Sequence, residues 1–372
     1  MRLLLLTIDF PPARGGVQHL LAQLAAGLAP TWQITVVTPA APGDAVWDAA
    51  QPYAVIRSLP LVWGQPALAG LQVRAFLELL RRRPHVIVCG HVLLGPLCRL
   101  VSVLLGVPYV AMAYAYEIRA PRMRPVARLA LRGARRVVTI SEFSRRAVEA
   151  YGIAADTVDV IHPGAAVGAA VVPVDAALAE PAEARVLLSV GRLVDAYKGH
   201  DMVIRAMPLI LVREPKARYV VVGDGPLRQY LDRLAASLNV SHAVRFVGEA
   251  SDDEVDAWYR RCDVFVLASR ESGVSGGAEG YGIVFVEANL RGKPVVGGRS
   301  GGIPDAVIDG ETGILVDPLD PAEIADAITR LLSEPGLAAR LGRDGRRRAL
   351  DELSWPRYTE RFARILALVA AR

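Results

Sequence analysis

The segment Glu279-Gly280-Tyr281-Gly282-Ile283-Val284-Phe285-Val286-Glu287 sets two carboxylates eight positions apart, across the glycine-flanked start of an apolar run. If that run is helical, eight residues make a little over two turns, so both acids share one side while free backbone N–H groups gather near Gly282. A helix N-terminus suits a diphosphate, and carboxylates accept from the hydroxyls of a hexose and a ribose. A second cluster has charge of the opposite sign. Gly191-Arg192-Leu193-Val194-Asp195-Ala196-Tyr197-Lys198-Gly199 follows the apolar run Arg185–Val190 and ends where a helix should begin. Arg192 and Lys198 would neutralise a diphosphate there and stabilise the charge that builds on it as a glycosidic C–O bond breaks. The plainer readings are an acidic helix start favoured by the macrodipole, and an Arg192–Asp195 pair beside a solvated Lys198.

Other loops border the same chemistry. Between the first strand and the first helix, Ile8 to Val17 ends in Gly15 and Gly16, which allow backbone to approach a ligand closely. Gly223-Asp224-Gly225 and Ser300-Gly301-Gly302 also follow expected strands. A dinucleotide fingerprint would need a third glycine where Arg228 stands. No Walker loop or D-x-D pair occurs, and Ser251-Asp252-Asp253-Glu254 reads as a helix cap and first turn. No catalytic metal and no cofactor are therefore expected.

The elements that must hold these loops are those of an α/β chain. At 372 residues, the length suggests two domains of roughly 150–200 residues each. Short Val/Ile/Leu runs alternate with amphipathic segments, as parallel sheets with crossover helices require. Strands are expected at Arg2–Ile8, Gln33–Thr38, His85–Val88, Pro108–Ala113, Arg136–Ile140 and Val158–Ile161, then again at Arg185–Val190, Ala217–Val222, Val244–Val247, Val264–Leu267, Pro294–Val296 and Gly313–Val316. The expected organisation is a first doubly wound domain over 1–165, a linker over 166–184, a second domain over 185–350, and a helix over 351–372 that returns to the first domain. Ligands collect at the carboxyl ends of such strands, so a substrate shared by both domains is expected in a cleft that closes on it.

The hydrophobic fraction of 52% belongs to these cores. The longest apolar stretch, Val86 to Tyr116, is broken by His91, Pro96, Arg99 and Pro108 and reads as strand, helix, strand. Met1 to Phe10 reaches Asp9 and Pro11 too early for a signal peptide, so a cytoplasmic location is expected. Cys89, Cys98 and Cys262 lack metal-ligand spacing and read as buried thiols. Seven arginines between Arg119 and Arg136 have only Arg and uncharged neighbours. Three readings stay open for them: a solvated face, a contact with an anionic membrane at its inner side, and a patch for an acidic acceptor. Nucleic acid is not expected, since no reader motif or stacking pattern accompanies the charge.

Taken in order, Gly191-Arg192-Leu193, Lys198-Gly199, Val222 to Pro226, Glu279 to Gly282, Glu287-Ala288, Gly302-Ile303-Pro304-Asp305 and Gly310-Glu311-Thr312-Gly313 resemble the retaining GT-B glycosyltransferases of family 4, the group-1 glycosyltransferases. The resemblance spans nearly the whole chain. It implies a GT-B fold of two Rossmann-like domains facing across a cleft, and metal-independent transfer of a hexose from a UDP- or GDP-sugar to a glycan or lipid-linked acceptor with retention of configuration. Arg192, Lys198 and Glu279 then match the catalytic residues, Glu279 as the donor-sugar carboxylate. Glu287 matches the ribose carboxylate, Gly282, Ile283 and Val284 match the backbone that cradles the phosphates, and Gly280 and Tyr281 are expected to bind substrate beside them. Val247, Glu249 and Ala250 match the nucleobase contacts.

One departure bears on the first domain. Where many members carry H-G-x-E or H-G-H-E, this chain has Tyr114-Ala115-Tyr116-Glu117. A tyrosine with pKa near 10 donates a hydrogen bond to a sugar hydroxyl but does not shuttle protons at pH 7. Tyr114 and Tyr116 are accordingly read as substrate-binding, and His91, alone among apolar residues, as structural. Two alternatives remain: a sugar-nucleotide epimerase on the same fold, and a nucleotide-sugar-binding protein without catalysis.

Overall fold

The computed structural model describes residues 1–60, 65–165, 180–272 and 276–371. They form two compact units, Met1–Gly164 with Trp355–Arg372, and Ala165–Ser354. Each is a Rossmann-like, doubly wound parallel sheet with flanking helices.

In the first unit the strands are β1 (Arg2–Leu6), β2 (Gln33–Pro39), β3 (Ala54–Ser58), β4 (Val86–Cys89), β5 (Tyr109–Ala113), β6 (Arg136–Thr139) and β7 (Val158–Val160). Their spatial order is β3-β2-β1-β4-β5-β6-β7, and all pairs are parallel. Every residue of β4 and β5 is buried, which is why these segments read as unbroken apolar runs rather than alternating ones. The chain winds outward through β2 and β3, then returns to β4 on the other side of β1. The reversal opens a crevice at the carboxyl ends of β1 and β4.

β3 was not expected from the sequence. It lies at the sheet edge with no fully buried residue, so it shows neither an apolar run nor clean alternation. Arg57 anchors it instead, reaching Asp48 with two hydrogen bonds of 3.0 and 2.6 Å and the carbonyls of Pro39 and Pro11.

The C-terminal helix Trp355–Ala370 packs against the first helix, Gly16–Leu28, and against β4 and β5. The two helices approach closely at Gly27, where a Cβ would lie 2.3 Å from Thr359 Oγ1. His19 meets the Trp355 ring edge-on at 5.4 Å, and Arg361 donates to the Val160 carbonyl.

The second unit contains β8 (Arg185–Val190), β9 (Ala217–Val222), β10 (Val244–Gly248), β11 (Val264–Leu267), β12 (Val295–Gly298) and β13 (Ile314–Val316), in the order β10-β9-β8-β11-β12-β13. Its reversal falls between β8 and β11. Helices Ile283–Leu290 and Pro335–Asp351 pack together, and the latter, ahead of the helix expected over 351–372, contains the basic stretch 340–348. Gly342 and Gly345 obscured it. Both glycines serve contact: a Cβ on Gly342 would lie 2.1 Å from the Gly292 carbonyl oxygen, and one on Gly345 2.5 Å from the Asn289 side chain. Ser251 and Glu254 form the expected capping box.

Of the expected linker over 166–184, residues 166–179 lie outside the described residues. The remainder is tied to the second unit by Glu180, paired with Arg245 at 3.2 Å, and by the carbonyls of Pro181 and Ala184, which accept from Arg261. The three cysteines are buried free thiols. Among the described residues no helix is long and apolar enough to cross a membrane.

Candidate active site

The reversal between β8 and β11 is where a doubly wound sheet holds its ligand, and the charged motifs of the second unit emerge there. After β8, the loop carrying Arg192 is clamped to the loop after β9. Leu193 N–H donates to the Asp224 carbonyl and Leu227 N–H to the Leu193 carbonyl, each at 2.9 Å. Gly223 and Gly225 make this possible: a Cβ on either would lie 2.2 Å from the Gly191 oxygen or 2.5 Å from the Leu193 oxygen. Gly223-Asp224-Gly225 therefore supports the site by packing under Arg192, which is exposed. Asp195 does not neutralise this loop as a surface partner alone; its side chain accepts from Tyr197 N–H and caps the turn Ala196–Lys198.

Lys198 donates to Glu279 Oε2 at 2.7 Å, and both side chains are 16% exposed. A predicted phosphate cation and a predicted sugar carboxylate are thus brought into direct contact. Burial disfavours the Lys198 ammonium, but the charge of Glu279, with Tyr197 and the hydrogen bond, raises its pKa above the ordinary lysine value, against the opposing Arg192. The ammonium also lies 5.3 Å from the Tyr197 ring centre.

Beneath it, sequence reasoning missed a buried polar network. His200 Nδ1 meets Tyr219 Oη at 3.1 Å, and Tyr219 Oη meets Ser189 Oγ at 2.9 Å. Burial, then the neighbouring Lys198 charge, lowers the His200 pKa to about 3, so its imidazole stays neutral beside Lys198. The available signal was His200 itself, directly after Lys198-Gly199 at a helix start.

The loops after β8 and β11 are joined. Arg270 N–H donates to the Tyr197 carbonyl at 2.8 Å, and Arg270 grips Asp201 through bonds of 2.9 and 3.0 Å. Gly199, with φ +76°, begins the helix His200–Arg213 against the Ala268 backbone. After β12, Gly302 N–H donates to the Glu279 carbonyl at 2.8 Å, which gives Ser300-Gly301-Gly302 its role.

Gly282, at φ 94° and ψ 53°, starts the helix Ile283–Leu290, and no side chain caps it. Ile283 and Val284 are half-buried there, Gly280 is half-buried, and Tyr281 is buried. A little over one turn on, Glu287 is half-buried and accepts from Tyr259 Oη at 2.9 Å; Glu279 lies ahead of the helix, so the two acids do not stand two turns apart on it. Burial raises its pKa, and the Tyr259 hydrogen bond and Arg291 offset this in part. Its carboxylate is thus held by a neutral donor with capacity left for hydroxyls. Val247 is half-buried at the end of β10; Glu249 is exposed and Ala250 half-buried just beyond it. They stand two strands from β8, on the side away from β11.

In the first unit, Gly15 and Gly16 begin the helix Gly16–Leu28 without a side-chain cap, at the β1–β4 reversal. Gln18 donates to Asp9 Oδ1 at 3.0 Å across this loop. The two tyrosines diverge. Tyr114 is turned inward, 4% exposed, and its hydroxyl donates to the Gly90 carbonyl at 3.0 Å, so the expected bond to a sugar hydroxyl finds no geometric support at this residue. Tyr116 is 46% exposed. His91 Nδ1 accepts from Leu93 N–H at 3.2 Å, and burial lowers its pKa to about 4, in keeping with a structural role. Glu117, not singled out from the sequence, is buried and accepts from the N–H groups of Tyr114 and Ala115 at 2.6 and 3.4 Å. It was visible as the lone acid before a run of arginines.

Tyr114→Phe is therefore expected to cost about 1–3 kcal/mol of stability by leaving the Gly90 carbonyl unsatisfied, with turnover near wild type. Urea unfolding and initial rates check this; lost turnover at retained stability would return Tyr114 to the substrate.

Among the described residues, no group of three or more His, Cys, Asp or Glu is arranged to hold a metal ion. Residues 15–164 match the glycosyl transferase 4-like domain, and residues 174–348 match the glycosyl transferases group 1. With two Rossmann-like sheets and these motifs at their reversals, the chain is a nucleotide-sugar-dependent glycosyltransferase of GT-B fold. It belongs to the group-1 glycosyltransferases of family 4. A relative from Mycolicibacterium smegmatis, a GDP-mannose-dependent alpha-(1-6)-phosphatidylinositol monomannoside mannosyltransferase, is 35% identical over 98% of each chain. Sucrose-phosphate synthase from Thermosynechococcus elongatus shares the fold with a TM-score of 0.85 over 100% of this chain and 99% of its own, at 22% identity. Anabaena Alr3699/HepE, solved in complex with UDP-glucose, does so with a TM-score of 0.81 over 99% and 100%, at 21% identity.

Proposed function

We propose that this chain is a retaining, metal-independent hexosyltransferase that moves a sugar from a UDP- or GDP-sugar to a lipid-linked or glycan acceptor. GDP-mannose is the favoured donor, and a phosphatidylinositol-type glycolipid the favoured acceptor, because the Mycolicibacterium smegmatis relative named for both is similar along the whole chain. The observation that carries the chemistry is the contact of Lys198 with Glu279 at the β8–β11 reversal, with Arg192 exposed on the same loop as Lys198.

In this reading the donor diphosphate lies against the uncapped start of the helix Ile283–Leu290, with Glu287 on the ribose hydroxyls. As the anomeric C–O bond breaks, negative charge grows on the β-phosphate, and the guanidinium of Arg192 and ammonium of Lys198 stabilise it. The acceptor hydroxyl attacks from the face that the diphosphate leaves, and its proton passes to that diphosphate. No protein base is required, so tyrosines in place of the family histidine are compatible with turnover. Glu279 contacts the sugar, and Tyr116, exposed at the first unit's site, is the tyrosine of the pair able to reach a ligand.

Incubation with GDP-mannose or UDP-sugars and a membrane glycolipid extract in excess chelator tests this. An α-linked product, read by nuclear magnetic resonance, is expected. A β-linked product overturns retention, and loss of turnover restored by a divalent ion overturns metal independence. Conversion of donor to its epimer without acceptor identifies an epimerase, while donor binding with no transfer identifies a binding protein.

A further inference from the structure

The first unit carries a surface that sugar transfer does not use. Helices Gln65–Arg82, Gly95–Leu105 and Arg124–Gly133 cover the same face of the seven-stranded sheet, each contacting the next, and bury residues such as Leu79, Val101 and Leu131 in one core. Their outer sides are apolar where a surface helix should turn polar residues to water. Val73, Leu77 and Leu80, at i, i+4 and i+7, are 60, 54 and 43% exposed. Leu100, Val103 and Leu104, at i, i+3 and i+4, are 51, 76 and 63% exposed. Leu129 extends the set onto the third helix. Aliphatic stripes on adjoining helices mark an interaction surface rather than scattered surface leucines.

The charge around these stripes identifies the partner. Between Gln65 and Arg136 the chain has twelve arginines, no lysine and two acids, Glu78 and Glu117. Both acids are buried, at 3 and 7% exposure, so the charge this segment presents to solvent is positive throughout. Glu78 is held by Arg82 at 2.7 Å, and Glu117 by the backbone of its own loop. We propose that this three-helix face docks on an anionic lipid membrane, with arginines on headgroup phosphates and the leucine and valine side chains in the acyl boundary. A second copy of the chain is disfavoured, because a two-fold contact through this face would oppose the arginines to one another. An anionic polymer would satisfy the arginines but leave the aliphatic stripes in water.

Flotation of the full chain with phosphatidylcholine vesicles, with and without phosphatidylglycerol, tests the surface without any turnover, so its outcome is separable from that of the transferase reading. Binding is expected only to the anionic vesicles and is expected to weaken with salt. Arg124→Gln with Arg128→Gln should lower partitioning about 25-fold, from about fivefold per arginine. Val103→Gln with Leu104→Gln, which leaves the charge unchanged, should abolish it at low salt too, which electrostatics alone would not predict. Unchanged melting midpoints show that the variants fold, and the two pairs sit on different helices, so one remains informative if the other fails. Equal binding to both vesicle types, no binding, or a dimer by light scattering that Val103→Gln with Leu104→Gln dissolves would overturn the proposal.

Discussion

Replacing Arg192 or Lys198 with alanine is expected to lower kcat by about 10²–10³-fold each, the range for removing one preorganised donor from a developing oxyanion. The loss should fall on kcat more than on KM, because the charge these cations meet is larger in the transition state than in the bound donor. The two variants should differ in one respect. Arg192 is exposed, and its removal leaves no buried partner behind. Lys198→Ala strands Glu279, a carboxylate 16% exposed that loses its 2.7 Å counter-charge. That variant should therefore also lose stability, with an upper range of about 3–5 kcal/mol for a fully buried pair and less here because both groups keep some solvent. Initial rates at saturating donor, with urea unfolding alongside, check both statements. Near-wild-type kcat in either variant would remove leaving-group stabilisation by that residue.

Gly199→Ala is expected to be the most destabilising single-methyl change in the second unit's site. At φ +76° the backbone is left-handed, which costs an L-residue roughly 1–2 kcal/mol by itself. The added Cβ would also lie 1.8 Å from the Ala268 carbonyl oxygen, a backbone atom on the adjoining loop that no rotamer change can clear. The sum should exceed about 4 kcal/mol, beyond the usual range for point substitutions. Gly16→Ala is the matching control: nothing lies within 4 Å of its Cβ, so stability should change by no more than about 0.5 kcal/mol. Denaturant midpoints of the two variants make the comparison. A Gly199→Ala protein as stable as wild type would mean that the β8 and β11 loops separate easily.

The sequence made the sheets legible where burial is complete. Strands buried on both faces, such as β4, β5 and β11, appear as uninterrupted apolar runs, and the charged motifs of the second unit follow β8 and β11. β3 escaped because an edge strand with half-buried residues has no such signature. The helix Pro335–Asp351 escaped because its glycines lower local propensity, and only the neighbouring backbone reveals why they are there. In the site, residue types gave the cations and carboxylates but not their pairing: nothing in the spacing of Lys198 and Glu279 announces a contact between residues 81 positions apart. Tyr114 and Tyr116 look alike in sequence, yet one hydroxyl is spent on Gly90 and the other ring faces solvent. Gly223 and Gly225, which the sequence places only at the border of the site, permit backbone contact beneath Arg192.

The Lys198–Glu279 contact has a consequence for the catalytic cycle. In the proposed reaction Glu279 is a resident occupant of the place on Lys198 that an incoming phosphate would take, so part of the donor's attraction is used to displace it. The same competitor is at hand when the sugar has gone, and its return to the ammonium favours departure of the spent nucleotide. A site built this way trades tightness of capture for ease of release, which an unopposed lysine would not provide.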